Sequence, residues 1–340
     1  MSLIEVKNLS KHFKVLNRRE GLRGSIKDLF SQDYRIVKAV EDINFDINKG
    51  EIVGYIGPNG AGKSTTIKMM TGILKPSSGI LLANGIPPYS NRIQNAKKMG
   101  VVFGQRTQLW WDLPVIESFK ILKNIYRVDD KTYDTQMGMF NSLIDLEKLY
   151  PVQVRTLSLG QRMLCDIAAA FLHNPKIVYL DEPTIGLDIS VKAKIRAIIK
   201  ELNKNQEITI ILTTHDLGDV EALCNRIIII DKGKILFDGP TQRVNQLFGS
   251  FRTLKVKIFE FNENTIPNIE LAIKNKFQQS KSIHVKKSED FWTDITFNQE
   301  ETPLREVLNL VMNSFPVEDI RVVEISMENV VSQVYDGALT

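Results

Sequence analysis

Residues 57–65 read Gly-Pro-Asn-Gly-Ala-Gly-Lys-Ser-Thr, the pattern G-x-x-x-x-G-K-[ST], and no other stretch restricts the fold as much. A strand-like run, Glu51 to Ile56, precedes it and a helix-like run, Thr65 to Met70, follows. That context predicts a strand, a tight loop and a helix whose first turn faces a polyphosphate. Gly57, Gly60 and Gly62 lack the Cβ atoms that would hold the backbone off an anion. The helix start adds unsatisfied N–H groups and the positive end of its dipole. Lys63 is expected to reach the β and γ phosphates, and the Ser64 hydroxyl to ligate Mg²⁺. The competing reading, a glycine-rich turn that only caps a helix, does not account for the full pattern in this setting.

Length and composition set the frame for that loop. A chain of 340 residues, 43% hydrophobic and 25% charged, reads as a soluble globular protein of about two domains. A net charge of +4 gives no reason to expect a nucleic-acid partner. No window approaches the ~18 apolar residues of a membrane span, and the start, Met-Ser-Leu-Ile-Glu-Val, reads as a strand and not a signal peptide. Cys165 and Cys224 sit far apart in apolar helical patterns without metal-ligand spacing, as buried reduced thiols do.

Ile4 to Leu9 and Lys38 to Ile47 alternate as half-buried antiparallel strands, separated by a basic insert, Asn17 to Arg35. In the insert, Leu22, Ile26, Leu29 and Phe30 share a helical face. Strands are expected at 79–84, 100–103, 177–180, 208–213 and 227–230, the last pairing with Lys234 to Phe237 across Asp231-Lys232-Gly233. Residues from Val115 to about Pro151 read mainly as helices. Apolar strands alternating with helices predict a mostly parallel sheet covered on both faces. After Gly249 the pattern changes to strand 253–261, helix 268–277, strands 283–286 and 291–297, helix 304–315 and strand 320–325. This β-α-β-β-α-β order predicts a small ferredoxin-like α+β domain, with a closing helix from Met327 to Tyr335.

Other polar residues gather at strand ends and one helix start. Ile177-Val-Tyr-Leu-Asp181-Glu182-Pro183 is an apolar strand ending in two acids, and ligands bind at the carboxyl ends of parallel strands. Asp181 suits an outer-sphere Mg²⁺ role and Glu182 the polarising of a water. A structural ion pair or helix cap is the bland alternative. Leu157-Ser158-Leu159-Gly160-Gln161 precedes a helical run; alone it is a capping motif. Gln105 and His215 each follow a strand, placed to meet Mg²⁺, water or a γ-phosphate; for either residue alone a purely structural role is the stronger reading.

In order along the chain stand the phosphate loop, Gln105, Leu-Ser-x-Gly-Gln (157–161), Leu-Asp-Glu-Pro (180–183), Gly-Leu-Asp (186–188) and Thr-His-Asp (214–216). This series resembles the nucleotide-binding subunit of an ABC transporter over residues 3 to about 240. The resemblance implies an α/β P-loop ATPase domain over 1–245, with an antiparallel β subdomain and a helical subdomain over about 106–172; the element order after Gly249 adds a C-terminal α+β accessory or regulatory domain over 250–340. It implies two copies facing head to tail around two ATP. Each ATP would lie between Gly57, Pro58, Asn59, Gly60, Ala61, Gly62, Lys63, Ser64, Thr65 and Thr66 of one copy and Ser158, Leu159, Gly160 and Gln161 of the other. Glu182 would be the general base, His215 would hold the γ-phosphate, and Gln105 would sense Mg²⁺ and the permease. Ser64, Gln105 and Asp181 would attend the Mg²⁺, and Asp188 would cross the interface. The aromatic against adenine maps to Phe13, with Tyr34 as second candidate.

Two departures stand out. Leu159 replaces the usual Gly, which matters only if the position needs a positive φ, and Phe13 replaces the usual Tyr, which leaves ring stacking available. The insert, the run Gln105-Arg-Thr-Gln-Leu-Trp-Trp and Leu-Ser-Leu-Gly-Gln-Arg-Met are similar to ATPases paired with export-type, drug- or toxin-efflux permeases. Trp110 and Trp111 fall where family members meet permease coupling helices; burial in the helical subdomain is the alternative. The expected protein is thus peripheral, at the cytoplasmic face of a membrane, with a separate permease. An importer ATPase with a solute-sensing C-terminal domain and a non-transport ABC ATPase are the competing readings.

Overall fold

A computed structural model describes residues 2–16, 34–104, 106–214, 216–248, 250–259, 262, 264–277, 283–288 and 292–324. The insert (17–33 of it), Gln105, His215 and the closing helix at 327–335 lie outside the described residues. Cα packing divides the chain into two units, Met1–Gly239 and Pro240–Thr340.

In the first unit, β1 (Ser2–Leu16), β2 (Tyr34–Asn48), β3 (Ile52–Ile56), β4 (Ser78–Ala83), β5 (Met99–Phe103), β6 (Ile177–Asp181), β7 (Thr209–Thr214), β8 (Arg226–Asp231) and β9 (Lys234–Pro240) make two sheets. The antiparallel sheet runs β2-β1-β4, and the mixed sheet runs β5-β6-β7-β3-β8-β9. From β5 to β8 every pairing is parallel. All residues of β3 and β7 are buried, as expected of strands covered on both faces. The turn into β9 carries positive φ at Lys232 (46°) and Gly233 (79°), the geometry of a tight hairpin.

One apolar cluster joins the sheets. It takes Ile4, Val6 and Phe45 from the antiparallel sheet, Tyr55, Tyr179, Ile211 and Ile228 from the mixed sheet, and Ile67, Met69 and Met70 from the helix Lys63–Met70. Each such fully buried side chain contributes roughly 1.5–3 kcal/mol. The helical part carries Val115–Tyr126, Asp130–Ile144 and Leu159–Phe171. β1 and β2 run well past their expected ends. Their register shifts between Val6 and Leu9 and again at Lys11, and Asn8 and Asp42 take positive φ. In β1 these bulges interrupt the two-residue alternation, so the pattern stops at Leu9 where the strand does not.

In the second unit, β10 (Phe251–Ile258), β11 (His284–Lys287), β12 (Trp292–Asn298) and β13 (Val317–Glu324) form an antiparallel sheet in the order β11-β12-β10-β13. Helices Thr265–Lys276 and Leu304–Ser314 supply Ile269, Ile273, Val307 and Val311 to a core with Leu254, Val256, Ile295 and Phe297. The order and pairing are ferredoxin-like. The helix starting at Thr265 begins three residues before the expected Asn268; Pro267 falls in its first turn, where a missing N–H costs nothing. Helix Thr241–Phe248, before this sheet, was not expected.

Candidate nucleotide site

Parallel pairing brings the chemistry-bearing strand ends side by side. Phe103 pairs with Asp181, Asp181 with Thr213, and Ile56 with Thr214. The phosphate loop leaves β3 at that edge and turns into the helix Lys63–Met70. Gly62 caps this helix with φ 110°, a conformation side chains rarely adopt, and as glycine supplies no side-chain cap. A Cβ on Gly57 would stand 2.0 Å from the Ile230 carbonyl oxygen, so the loop packs on β8 as only glycine allows. Lys63 is buried, and its Nζ donates to the carbonyls of Gly57 (2.6 Å) and Pro58 (3.1 Å). Thr66 donates its hydroxyl to Gly62 O at 3.1 Å and accepts from the Tyr55 phenol at 3.3 Å, fixing the helix start from beneath.

At the end of β6, Asp181 Oδ1 accepts the Thr213 hydroxyl at 2.5 Å, and its backbone carbonyl accepts Gly104 N–H at 2.7 Å. Glu182 has φ 53°, left-handed for a residue with a long side chain. Such a conformation costs on the order of 1–3 kcal/mol and persists where surroundings enforce it, commonly at functional sites. Here Glu182 N–H donates to Thr213, to the carbonyl at 3.0 Å and the hydroxyl at 3.2 Å.

A cleft of about 730 Å³ opens over this edge. Ser64, Thr65, Asp181 and Glu182 line it, with Phe13 and Arg106 also on its wall. An adjoining 180 Å³ hollow is walled by Asn59, Gly60, Ala61, Gly62 and Lys63. Lys11 Nζ lies 5.2 Å from the Phe13 ring. Tyr34, opposite Leu16 at the far end of the β1–β2 pair, is exposed and is not among the cleft's lining residues. Among the described residues no three His, Cys, Asp or Glu side chains form a cage for a metal. Ser64 and Asp181 in one cleft fit Mg²⁺ instead, which takes one or two protein ligands and completes its shell with water and phosphate oxygens.

The second constellation is built around a helix start. Ser158 caps Leu159–Phe171: its Oγ accepts Gln161 N–H at 3.2 Å, and Gln161 Oε1 accepts Ser158 N–H at 3.0 Å, a full capping box. Ser158 and Gln161 are exposed and Gly160 is buried. Leu159 opens the helix without positive φ and is 37% exposed, so no strain attends its replacement of glycine. Asp188 caps the helix Ile189–Gln206, accepting from Val191 N–H at 2.9 Å and the Ser190 hydroxyl at 2.7 Å. The Val191 N–H above all holds its carboxyl below the usual range. Trp110 and Trp111 are 38% and 49% exposed, with the Arg162 guanidinium 5.4 Å from the Trp111 ring.

Residues 40–185 match the ABC transporter family. The ABC transporter ATP-binding protein NatA of Bacillus subtilis is 31% identical over 213 residues, which are 63% of this chain and 86% of NatA. The chain belongs to the ABC transporter ATP-binding family. This ABC protein is also 32% identical over 229 residues (67% of its own length) to ABC transporter A family member 1 of Dictyostelium discoideum, of which those residues span only 26%. A solved ATP-binding subunit of an ABC transporter superposes with TM-score 0.60 at 26% identity, covering 73% of this chain and 94% of that one. A dimeric ATP-binding cassette in a post-hydrolysis state, bound to ADP and Pi, gives 0.57 at 26% identity, covering 70% and 98%. The ABC protein is therefore an ATPase of the transport type, with the P-loop α/β fold expected of it.

Several site neighbours escaped sequence reasoning. Thr213 and Gly104 tie Asp181 and Glu182 to the strands on either side, yet carry no motif of their own. Arg106 lines the cleft directly after Gln105. Asp166, buried on the helix that Ser158 caps, accepts the Thr107 hydroxyl at 2.9 Å and Gln108 N–H at 3.0 Å. Burial pushes its carboxyl up to about 6. A lone acid within an apolar helical run, Leu164-Cys165-Asp166-Ile167, was the available signal.

Proposed function

We propose that this ABC ATPase pairs with a second copy head to tail around two ATP and energises a separate membrane permease that exports a drug-like or toxic compound. Each phosphate loop, with Lys63 and Ser64, receives one triphosphate, and the partner copy's capped helix start brings a second set of donors to the γ-phosphate. Asp181 steers Mg²⁺ through its water, Glu182 acts as general base, His215 holds the γ-phosphate, and Gln105 senses Mg²⁺ and the permease. Asp188 crosses between copies, and Phe13 stacks on adenine. ATP then favours the closed pair and ADP does not, so turnover changes the distance between subunits.

The observation that carries this reading is Glu182, left-handed at the end of β6, on one cleft wall with Ser64 and Asp181. The dimeric cassette holding ADP and Pi supports the paired arrangement. Exposed Trp110 and Trp111 support a protein partner beside the Gln105 loop. No described helix is long and apolar enough to cross a membrane, which fits a peripheral subunit at the cytoplasmic face. The ferredoxin-like unit favours one second reading, an importer ATPase whose C-terminal domain binds the transported solute.

Glu182→Gln tests the mechanism. ATP binding should stay intact, turnover should fall by about 10²–10⁴-fold, and dimer should accumulate with ATP and Mg²⁺. Hydrolysis at the parent rate would remove Glu182 from the role of base. Equilibrium dialysis of candidate solutes against the full chain separates the transport readings, since solute binding supports the importer.

A further inference from the structure

We propose that Asp219 is a positioning residue for hydrolysis, holding Glu182 in its left-handed conformation by tying the segment that follows it to the end of β7. The inference rests on Glu182 being the general base. Asp219 lies on the helix Leu217–Leu223 and its side chain is 0% exposed. Its Oδ1 accepts Arg196 twice, from Nε at 2.7 Å and from a terminal nitrogen at 2.5 Å. Its Oδ2 accepts the Thr184 hydroxyl and, at 3.2 Å, the Thr214 hydroxyl. Both threonines are buried.

The placement of those threonines gives the carboxylate its role. Thr184 stands two residues after Glu182, and Thr214 one residue after Thr213, the residue that receives Glu182 N–H. One buried acid therefore clamps both flanks of the contact that fixes Glu182. Arg196 extends the clamp to the helix that Asp188 caps, and a neighbouring pair, Lys192 with Asp216 at 2.7 Å, runs parallel to it. Thr214 Oγ1 also accepts Asp216 N–H at 3.0 Å while donating its proton to Asp219, so the hydroxyl is held from both sides. A strained φ needs such over-determination to survive, and a small displacement of a base lowers the chemical step more than it lowers substrate binding.

Steady-state ATPase kinetics of the full chain test the proposal with three variants. Asp219→Asn removes one acceptor oxygen. Thr184→Ala removes a single donor and keeps the Arg196–Asp219 pair, which guards against a variant that fails to fold. Thr184→Ser restores the donor. The expected result is a kcat lowered about 10–100-fold in Thr184→Ala and Asp219→Asn, with KM for ATP within about twofold of the parent, and recovery in Thr184→Ser. In a Glu182→Gln background, adding Thr184→Ala should leave ATP-dependent dimer intact, because binding is untouched. Parental kcat in Thr184→Ala would overturn the proposal. So would a joint fall of kcat, KM-based affinity, melting temperature and dimer, which is the mark of a purely structural acid. Parental turnover in Glu182→Gln alone would overturn the base assignment and take the proposal with it.

Discussion

Replacing Gly160 by alanine sets two effects against each other, and Val191 decides which wins. Gly160 is the second residue of the helix that Ser158 caps. Within a helix, alanine in place of glycine stabilises by roughly 0.5–1 kcal/mol through reduced unfolded-state freedom. Against this, a Cβ at Gly160 would stand 3.0 and 3.1 Å from the two methyls of Val191, on the helix that follows Asp188. Ordinary carbon contacts begin near 3.5 Å, so the helices must separate by about half an ångström. Val191 cannot turn aside, since a β-branched side chain in a helix is held in one rotamer. Overpacking of this kind costs about 1–3 kcal/mol, and the net expectation for Gly160→Ala is a loss of up to about 2.5 kcal/mol. In a Val191→Ala background the methyls are gone and only the helix gain is left, so the same substitution should stabilise by roughly 0.5–1 kcal/mol. Urea unfolding of the four proteins at neutral pH measures this sign reversal directly. ATPase activity should follow it, falling in Gly160→Ala and recovering in the double variant as the helix start regains its place. Effects that add to within about 0.3 kcal/mol would refute the packing argument, and with it the physical link between Gly160 and the helix that Asp188 caps.

Two further outcomes follow from buried titratable groups. Burial pushes His173 down to about 4; its ring stacks on Tyr126 at 4.0 Å and Nε2 lies 2.9 Å from Met99 O. Its folded value lies below its ordinary one, so its contribution is complete above about 6.5 and is lost as pH falls toward 4, by about 3 kcal/mol in all. Asp166, raised to about 6, has the opposite sign: its contribution is complete below its ordinary value and is lost as pH rises through 6, again by about 3 kcal/mol. Unfolding midpoints should therefore vary little between pH 4 and 6.5, while Asp166→Asn unmasks acid lability and His173→Gln removes it; equal profiles in all variants would refute both assignments. Burial raises both Cys165 and Cys224 to about 12, so an exposed-thiol reagent at mildly alkaline pH should label neither in the folded protein and both after denaturation. Rapid labelling of the native chain would contradict that burial.

How much of this was legible beforehand follows the range of the interactions involved. The phosphate loop, the capped start at Ser158 and the acids ending β6 are local: a turn needing glycine, an N-cap and an apolar run with a polar end are each written within about ten residues. The β-α-β-β-α-β order of the second unit was legible for the same reason, since each element carries its own period. β1 was read short because the irregularities between Val6 and Lys11, with Asn8 at positive φ, break that period while the pairing continues, and β2 starts at Tyr34, four residues ahead of the expected Lys38.

Local patterns along the chain set the parts and their order. Which parts meet was set by the packing of strands distant in the chain. The order β5-β6-β7-β3-β8-β9 seats the loop after β3 beside β7 and β8, strands more than 150 residues further on. Thr213, Thr184, Arg196 and Asp219 acquire their bearing on Glu182 from that pairing alone. A hydroxyl and a carboxylate reveal no partner in their own neighbours along the chain, because their bonds form across strands whose adjacency is set by burial of whole faces.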